Sequence, residues 1–274
     1  MSLSVNNMLG GGGNPEGLHV WKKYNYIDVN VDIVPWAYGT DDQIVAMVNA
    51  ADNGLINLSD FWSVGDERKV TLSAMSATGV GESHVKQTVT FVLMNSGGKT
   101  LARATPSGRN KCSFIVGLKN GLEEEGYMNS SNTVTGGWNN CARRTWCNNV
   151  FRNAIPSTLR GIFKQHLNKT ANGKGSTITT STDYFALPAE KEVFGSVSYA
   201  NSTAETSLMQ FDYYKTDRHL PKKPGDANIF SLLSWWLRSP SDITSSSFCY
   251  VMLGSSPSSS SASEANLLAP FGCI

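Results

Sequence analysis

Charge is scarce in this sequence. Asp, Glu, Lys and Arg make up 16% of the 274 residues, and the formal net charge is +1. Soluble domains usually carry about a quarter. So weak a field does not gather phosphate backbones or anionic lipid, so nucleic acid is excluded as a partner. Long apolar runs are also missing. Nothing approaches the roughly 20 residues of a spanning helix, so no membrane insertion is expected. Residues 1–15 lack the basic start and apolar stretch of a signal peptide, which points to a soluble product made in the cytosol.

Chemistry is equally thin. Histidine occurs 4 times, at His19, His84, His166 and His219, with no carboxylate or thiol at triad or metal spacing. The glycine run at 10–13 lacks the lysine and helix of a phosphate site. Five cysteines, Cys112, Cys141, Cys147, Cys249 and Cys273, match no zinc pattern. They read as buried free thiols, with one disulfide as the alternative. The carboxylate pairs Asp41/Asp42, Asp66/Glu67 and Glu190/Glu192 fall at helix starts or turns, where capping explains them. No catalytic residue, metal site or cofactor is nominated, and the chain is read as no enzyme.

What is present is a core and many turns. Apolar residues reach 40%, with 7 Trp and 9 Tyr, and 25 glycines punctuate the chain. Residues 1–18 read as a flexible leader, residues 21–36 as a strand, and residues 41–51 as a helix capped by Thr40 with a stripe of Ile44, Met47, Val48 and Ala51. Strands are expected at 69–72, 87–94 and 112–118. Trp138, Ala142, Trp146, Val150 and Ala154 form an i, i+4 stripe that predicts one helix over 138–155. Pro156 ends it, and Ser157 can cap a second helix carrying Leu159, Ile162, Phe163 and Leu167. Residues 169–182 read as a surface loop, 184–187 as a short buried strand, and Pro188 as the first turn of a short helix to Phe194. Residues 201–227 form a long connection.

The last forty residues are the most distinctive. Two apolar blocks, Trp235-Trp236-Leu237-Arg238-Ser239-Pro240 and Leu267-Leu268-Ala269-Pro270-Phe271-Gly272-Cys273-Ile274, enclose a serine-rich stretch. Between Ser239 and Ser263, 12 of 25 residues are serine, and Asp242 is the sole charge. Phe248 to Leu253 reads as a strand within it. Apolar strands fixing small polar residues on an exposed face suggest a binding surface. Serine supplies adaptable hydrogen bonds and tyrosine rigid contact area, the mixture antibody paratopes use.

Residues 138–147 (Trp-Asn-Asn-Cys-Ala-Arg-Arg-Thr-Trp-Cys), Phe185-Ala186-Leu187-Pro188, the Trp235–Pro240 block and the closing Ala-Pro-Phe-Gly-Cys-Ile together resemble the DUF6273 proteins of gut bacteria and their phages. The resemblance covers about residues 62–274. It implies an α+β, C-type lectin-like fold of the branch shared with formylglycine-generating enzymes and the variable proteins of diversity-generating retroelements. Two main helices, short antiparallel strands and an N-terminal extension over residues 1–60 are then expected. In those variable proteins a C-terminal segment is rewritten at template adenines while scaffold residues stay fixed. By that likeness Phe248, Cys249, Val251, Gly254 and Ala262 are scaffold. Asp242, Ile243, Ser245, Ser246, Tyr250, Met252, Leu253, Ser255, Ser256, Ser258, Ser263, Glu264 and Asn266, within a variable segment over 241–266, are displayed to ligand. Met252 and Glu264 do not follow simply from an asparagine codon. The calcium-ligand motifs of sugar-binding lectins and the catalytic cysteine pair of the formylglycine-generating enzymes are both missing. The resemblance thus implies a non-enzymatic protein on a phage tail or bacterial surface, binding a protein or glycan receptor. Homo-oligomer or virion assembly through the N-terminal segment fits it too. The alternative is a structural protein whose lectin-like domain serves assembly alone.

Overall fold

The computed structural model describes residues 18–24, 27–175, 177–215, 234–252 and 255–274. Strands β1 (Leu18–Tyr24) and β2 (Ile27–Ile33) pair as an antiparallel hairpin, so the expected single strand over 21–36 is two. Helix α1 (Asp41–Asp52) forms as its sequence dictates. Thr40 Oγ1 accepts the amide of Gln43, and the Gln43 side chain accepts the amide of Thr40. This reciprocal cap satisfies amides that a helix start otherwise leaves unpaired. Ile44, Met47, Val48 and Ala51 are buried, as the stripe requires.

A five-stranded antiparallel sheet forms the centre, in the order β3 (Glu67–Leu72), β4 (Gln87–Ser96), β5 (Phe114–Leu118), then the terminal strand, then a short strand at residues 185–186. The helical middle follows β5, and here the sequence expectation needs correction. The predicted helix over 138–155 is instead a 3₁₀ turn (Gly137–Asn140), α2 (Ala142–Trp146), a π turn (Cys147–Phe151) and α3 (Arg152–Ala154). Gly137 at φ 56° lies against the backbone of Ala171 and sets the break at its start. The next helix, α4 (Ser157–Arg160), is a single turn that Ser157 does not cap, and its expected continuation to Leu167 gives way to a strand.

That strand is β6 (His166–Ala171), which pairs with β7 (Ile178–Asp183). The surface loop expected over 169–182 is therefore largely a hairpin. β8 (Phe185–Ala186), α5 (Glu190–Phe194) and α6 (Ser202–Glu205) follow. The long connection carries α6 and a 3₁₀ turn (Asp212–Lys215); its remainder beyond residue 215 lies outside the described residues, as does the expected leader before residue 18.

The last third builds β9 (Trp235–Pro240), β10 (Ser247–Met252), β11 (Ser256–Ser261) and β12 (Phe271–Cys273). The first three make an antiparallel sheet ordered β11-β10-β9, and β12 inserts between β5 and β8 of the central sheet. The architecture is α+β, with mainly antiparallel sheets and few helices.

One hydrophobic core runs from Val31 to Ile274. Trp62 Nε1 donates to Val34 O at 2.9 Å, and the Trp36 and Trp62 rings lie 5.3 Å apart. Arg68 donates to the carbonyls of Trp36 (3.1 Å) and Gly39 (2.6 Å). The segment before residue 60, from Val31 on, is thus built into the same core as the rest. All five cysteines are buried free thiols.

Candidate ligand-binding face

β9 is the base of the site. All six of its residues are buried. Trp236 Nε1 donates to Gly126 O at 2.8 Å, and Arg238 is held by charge. Its Nη1 donates to Glu192 Oε2 at 2.5 Å and to Leu187 O at 2.9 Å, and its Nη2 donates to Glu192 Oε1 at 2.9 Å. Lys99 also donates to Glu192, and reaches Asn168 Oδ1 at 2.9 Å. One buried carboxylate thus neutralises part of two buried cations. Burial alone pushes the Glu192 carboxyl up, but Arg238 and Lys99 outweigh it and hold it below the carboxylate range. Burial, seconded by Arg238, pulls the Lys99 amine down.

Two more buried carboxylates steady the neighbouring loop. Glu190 accepts the amides of Ser198 (2.9 Å), Tyr199 (3.1 Å) and Ala200 (2.6 Å). Glu205 accepts the Ser239 hydroxyl and the Lys191 amide, and burial pushes its carboxyl up. These contacts fix the 198–200 segment, and the carbonyl of Tyr199 in turn accepts the amide of Asp242 at 2.8 Å.

β10 and β11 lie on this base. Their register sets Tyr250 opposite Ser258 and Met252 opposite Ser256. Directly opposed residues share a sheet face, so these four stand together. Cys249 and Val251 point the other way and are buried. Phe248 is buried as well, at an irregularity in the β9–β10 pairing between Phe248 and Tyr250. Tyr250 is half-buried, its ring 6.1 Å from Trp236 in an edge-on arrangement, while Met252 is 41% exposed. The tip of the hairpin passes through Ser255 at φ 65°, a left-handed conformation unusual for a residue with a Cβ.

The flanking loops complete the face. Asp242, Ile243 and Ser245 are exposed, Ile243 at 56%, and Ser246 is half-buried. Asp242 Oδ1 accepts Gly175 N and Asn201 Nδ2, each at 3.3 Å. Ser256, Ser258 and Ser263 are half-buried and Glu264 is exposed. Leu253, with the scaffold position Gly254, lies outside the described residues. Asn266 is corrected: it is 4% exposed, its Oδ1 takes the Ser234 hydroxyl, and its backbone exchanges hydrogen bonds with Gly126. It clamps two segments together and is not displayed.

The structure adds residues that the sequence did not nominate. Ser261 Oγ donates to Asn132 Oδ1 at 2.7 Å, and Val134 N donates to Ser245 O at 3.3 Å. The loop around residues 129–135 therefore borders the face. No sequence signal marks it, because Asn132 and Ser261 are 129 positions apart. Asp242 and Glu264 are the carboxylates of the face, against a ground of hydroxyls. Among the described residues, no three His, Cys, Asp or Glu side chains are placed to hold a metal, and no helix is long and apolar enough to cross a membrane.

Comparison with known proteins adds one finding. The family described as a domain of unknown function, DUF6273, matches residues 114–267, from the start of β5 through the whole β9–β11 sheet to the residue after Asn266. No curated protein and no solved structure matches the chain. The matched stretch is more than half of the sequence, and the chain therefore belongs to the DUF6273 family.

Proposed function

We propose that this protein is a non-enzymatic binder that presents a diversified surface, built on the β10–β11 hairpin and its flanking loops, to a receptor on a cell surface. In this reading the domain is a C-type lectin-like variable protein of a diversity-generating retroelement, carried on a phage tail or a bacterial surface. The supporting observation is the division of labour within 241–266. Phe248, Cys249, Val251 and Ala262 are buried, while Asp242, Ile243, Ser245, Met252 and Glu264 are exposed and the serines of β11 are half-buried. A stretch dense in serine is therefore anchored by a few apolar residues, with side-chain hydrogen bonds at Asp242 and Ser261. The base beneath is rigid, because Arg238, Glu192 and Trp236 are buried and bonded. Such a base tolerates exchange of the residues above it without repacking.

Two experiments test this. Sequencing the DNA around the gene should reveal a reverse transcriptase and a near-copy of its 3′ end differing at adenines; finding neither counts against diversification. Labelled protein should adsorb to a susceptible bacterial host, and Tyr250→Ala with Met252→Ala should abolish adsorption while the Tm stays nearly unchanged. Adsorption that survives this double substitution refutes the assignment of the face.

A further inference from the structure

A cleft of about 430 Å³ opens elsewhere on the molecule. Its walls come from residues 103–106, from residues 163–165 leading into β6, and from Tyr184 between β7 and β8. None of these lies within 241–266, so the cleft is independent of the receptor-binding reading. Its volume falls within the range of about 300–1,000 Å³ typical of small-molecule sites.

The lining holds two cations, Arg103 and Lys164, and no carboxylate. Lys164 pairs with Asp52 at 2.7 Å, but Asp52 is shared with Arg109 at 2.8 Å. Arg103 has no ion pair among the described residues. Arg152, next to the cleft, has none either; its guanidinium sits 3.8 Å from the centre of the Tyr184 ring, and its Nε is buried without a hydrogen-bond partner. Asp52 is thus the one described carboxylate paired with any of four neighbouring cations, in a chain whose net charge is only +1. Positive charge concentrated in a concave site favours an anion.

The rest of the lining is suited to a ring. Phe163 is buried and packs on Phe185 at 4.7 Å. Tyr184 is half-buried, with one face covered by Arg152, which does not itself line the cleft. Thr105 and Gln165 add polar edges. We propose that this cleft binds a small ligand bearing one phosphate or carboxylate on a flat ring, with Arg103 and Lys164 on the anion and Tyr184 against the ring.

Calorimetric titration of the full chain at low salt tests this with four probes: phenyl phosphate, benzoate, inorganic phosphate and phenol. Phenyl phosphate or benzoate should saturate the protein with a Kd near or below about 1 mM, and which of them does so identifies the anion. Inorganic phosphate and phenol should each bind at least about ten-fold more weakly, since each carries half of the recognised chemistry. Arg103→Ala and Arg103→Gln, at an exposed position, should weaken the better probe about five-fold and leave the Tm unchanged. Tyr250→Ala should not alter binding. The proposal is overturned by failure of both ring anions to saturate, by inorganic phosphate binding as tightly as they do, or by unaltered affinity in both Arg103 variants.

Discussion

Replacing Glu192 with glutamine removes one charge and almost no volume. In the native protein the Glu192 side chain is 1% exposed, Arg238 0% and Lys99 7%. Both cations point at the same carboxylate. Glutamine keeps one acceptor oxygen and turns the other into an amide donor aimed at donors. Two buried cations then lose the one carboxylate that both contact. Breaking a buried pair in this way costs about 3–5 kcal/mol, because the uncompensated charge stays buried. That is a large share of a typical total of about 5–15 kcal/mol. In a urea titration followed by tryptophan fluorescence, with a slope of about 2 kcal/mol/M, the midpoint should fall by about 2 M. Adding Lys99→Met should recover part of the loss, since one orphaned cation is removed; the two changes share a partner and must not be additive. A loss below about 1 kcal/mol, or strict additivity, would refute the view that this carboxylate is the counter-charge of β9.

Ser255→Gly should stabilise the protein by about 1 kcal/mol in the same assay, because glycine takes φ 65° without the Cβ clash; no gain means the turn relaxes around serine. Trp236→Ala should cost about 3–5 kcal/mol, as it empties a fully buried site and removes one of the two donors to the Gly126 carbonyl; a near-neutral result removes β9 from the core. Acid should destabilise the chain in two stages. Glu192 and Asp183 are both held below the carboxylate range: burial opposes the shift in each, but Arg238 and Lys99 prevail at Glu192, and Ser181, Arg144 and Asn168 at Asp183. Their contribution is complete above the unfolded values of about 4 and disappears as pH falls through the depressed folded values. Glu205, pushed up by burial, gains a proton favourably in the folded state and delays the loss. His166 and His84 add an earlier loss: burial pulls the His166 imidazole down to about 3 and lowers His84 as well, so both stay neutral in the fold while the unfolded chain takes up protons below about pH 6.5. The Tm should begin to fall below about pH 6.5 and fall more steeply below about 4; a Tm that stays level down to about pH 5 contradicts this.

How much of this was legible in the sequence depended on where the stabilising groups sit along the chain. α1 was, since its cap and its apolar stripe are local. The β10 strand was, since Phe248, Cys249 and Val251 mark it against serine. The β6–β7 hairpin was not. Its buried positions include His166, Asn168, Thr170, Ser181 and Asp183, so a pattern of apolar residues cannot reveal it. Three of these groups bond inward, since Asp183 accepts from Asn168 at 3.0 Å and Ser181 at 2.6 Å, and from Trp138 at 3.1 Å. The long helix expected over 138–155 failed for a related reason. Its stripe is genuine, but Asn129 holds the amide of Ala142 and Asn148 holds that of Tyr184, distant bonds that reshape the helix into short pieces. The ion cluster under the face was hidden altogether, as Lys99 and Glu192 are 93 positions apart. Asn266 was misplaced because a polar residue beside serines looks exposed until its partners, Ser234 and Gly126, are known.

The position of β12 has a consequence for translation. Phe271–Cys273 is made after the serine-rich stretch, yet it joins β5 to β8 in the middle of the central sheet. Any insertion or deletion that shifts the reading frame within codons 241–266 also replaces these three residues. The sheet is then left in two pieces, and the product cannot close its core. Folding itself thereby proofreads the reading frame of the segment.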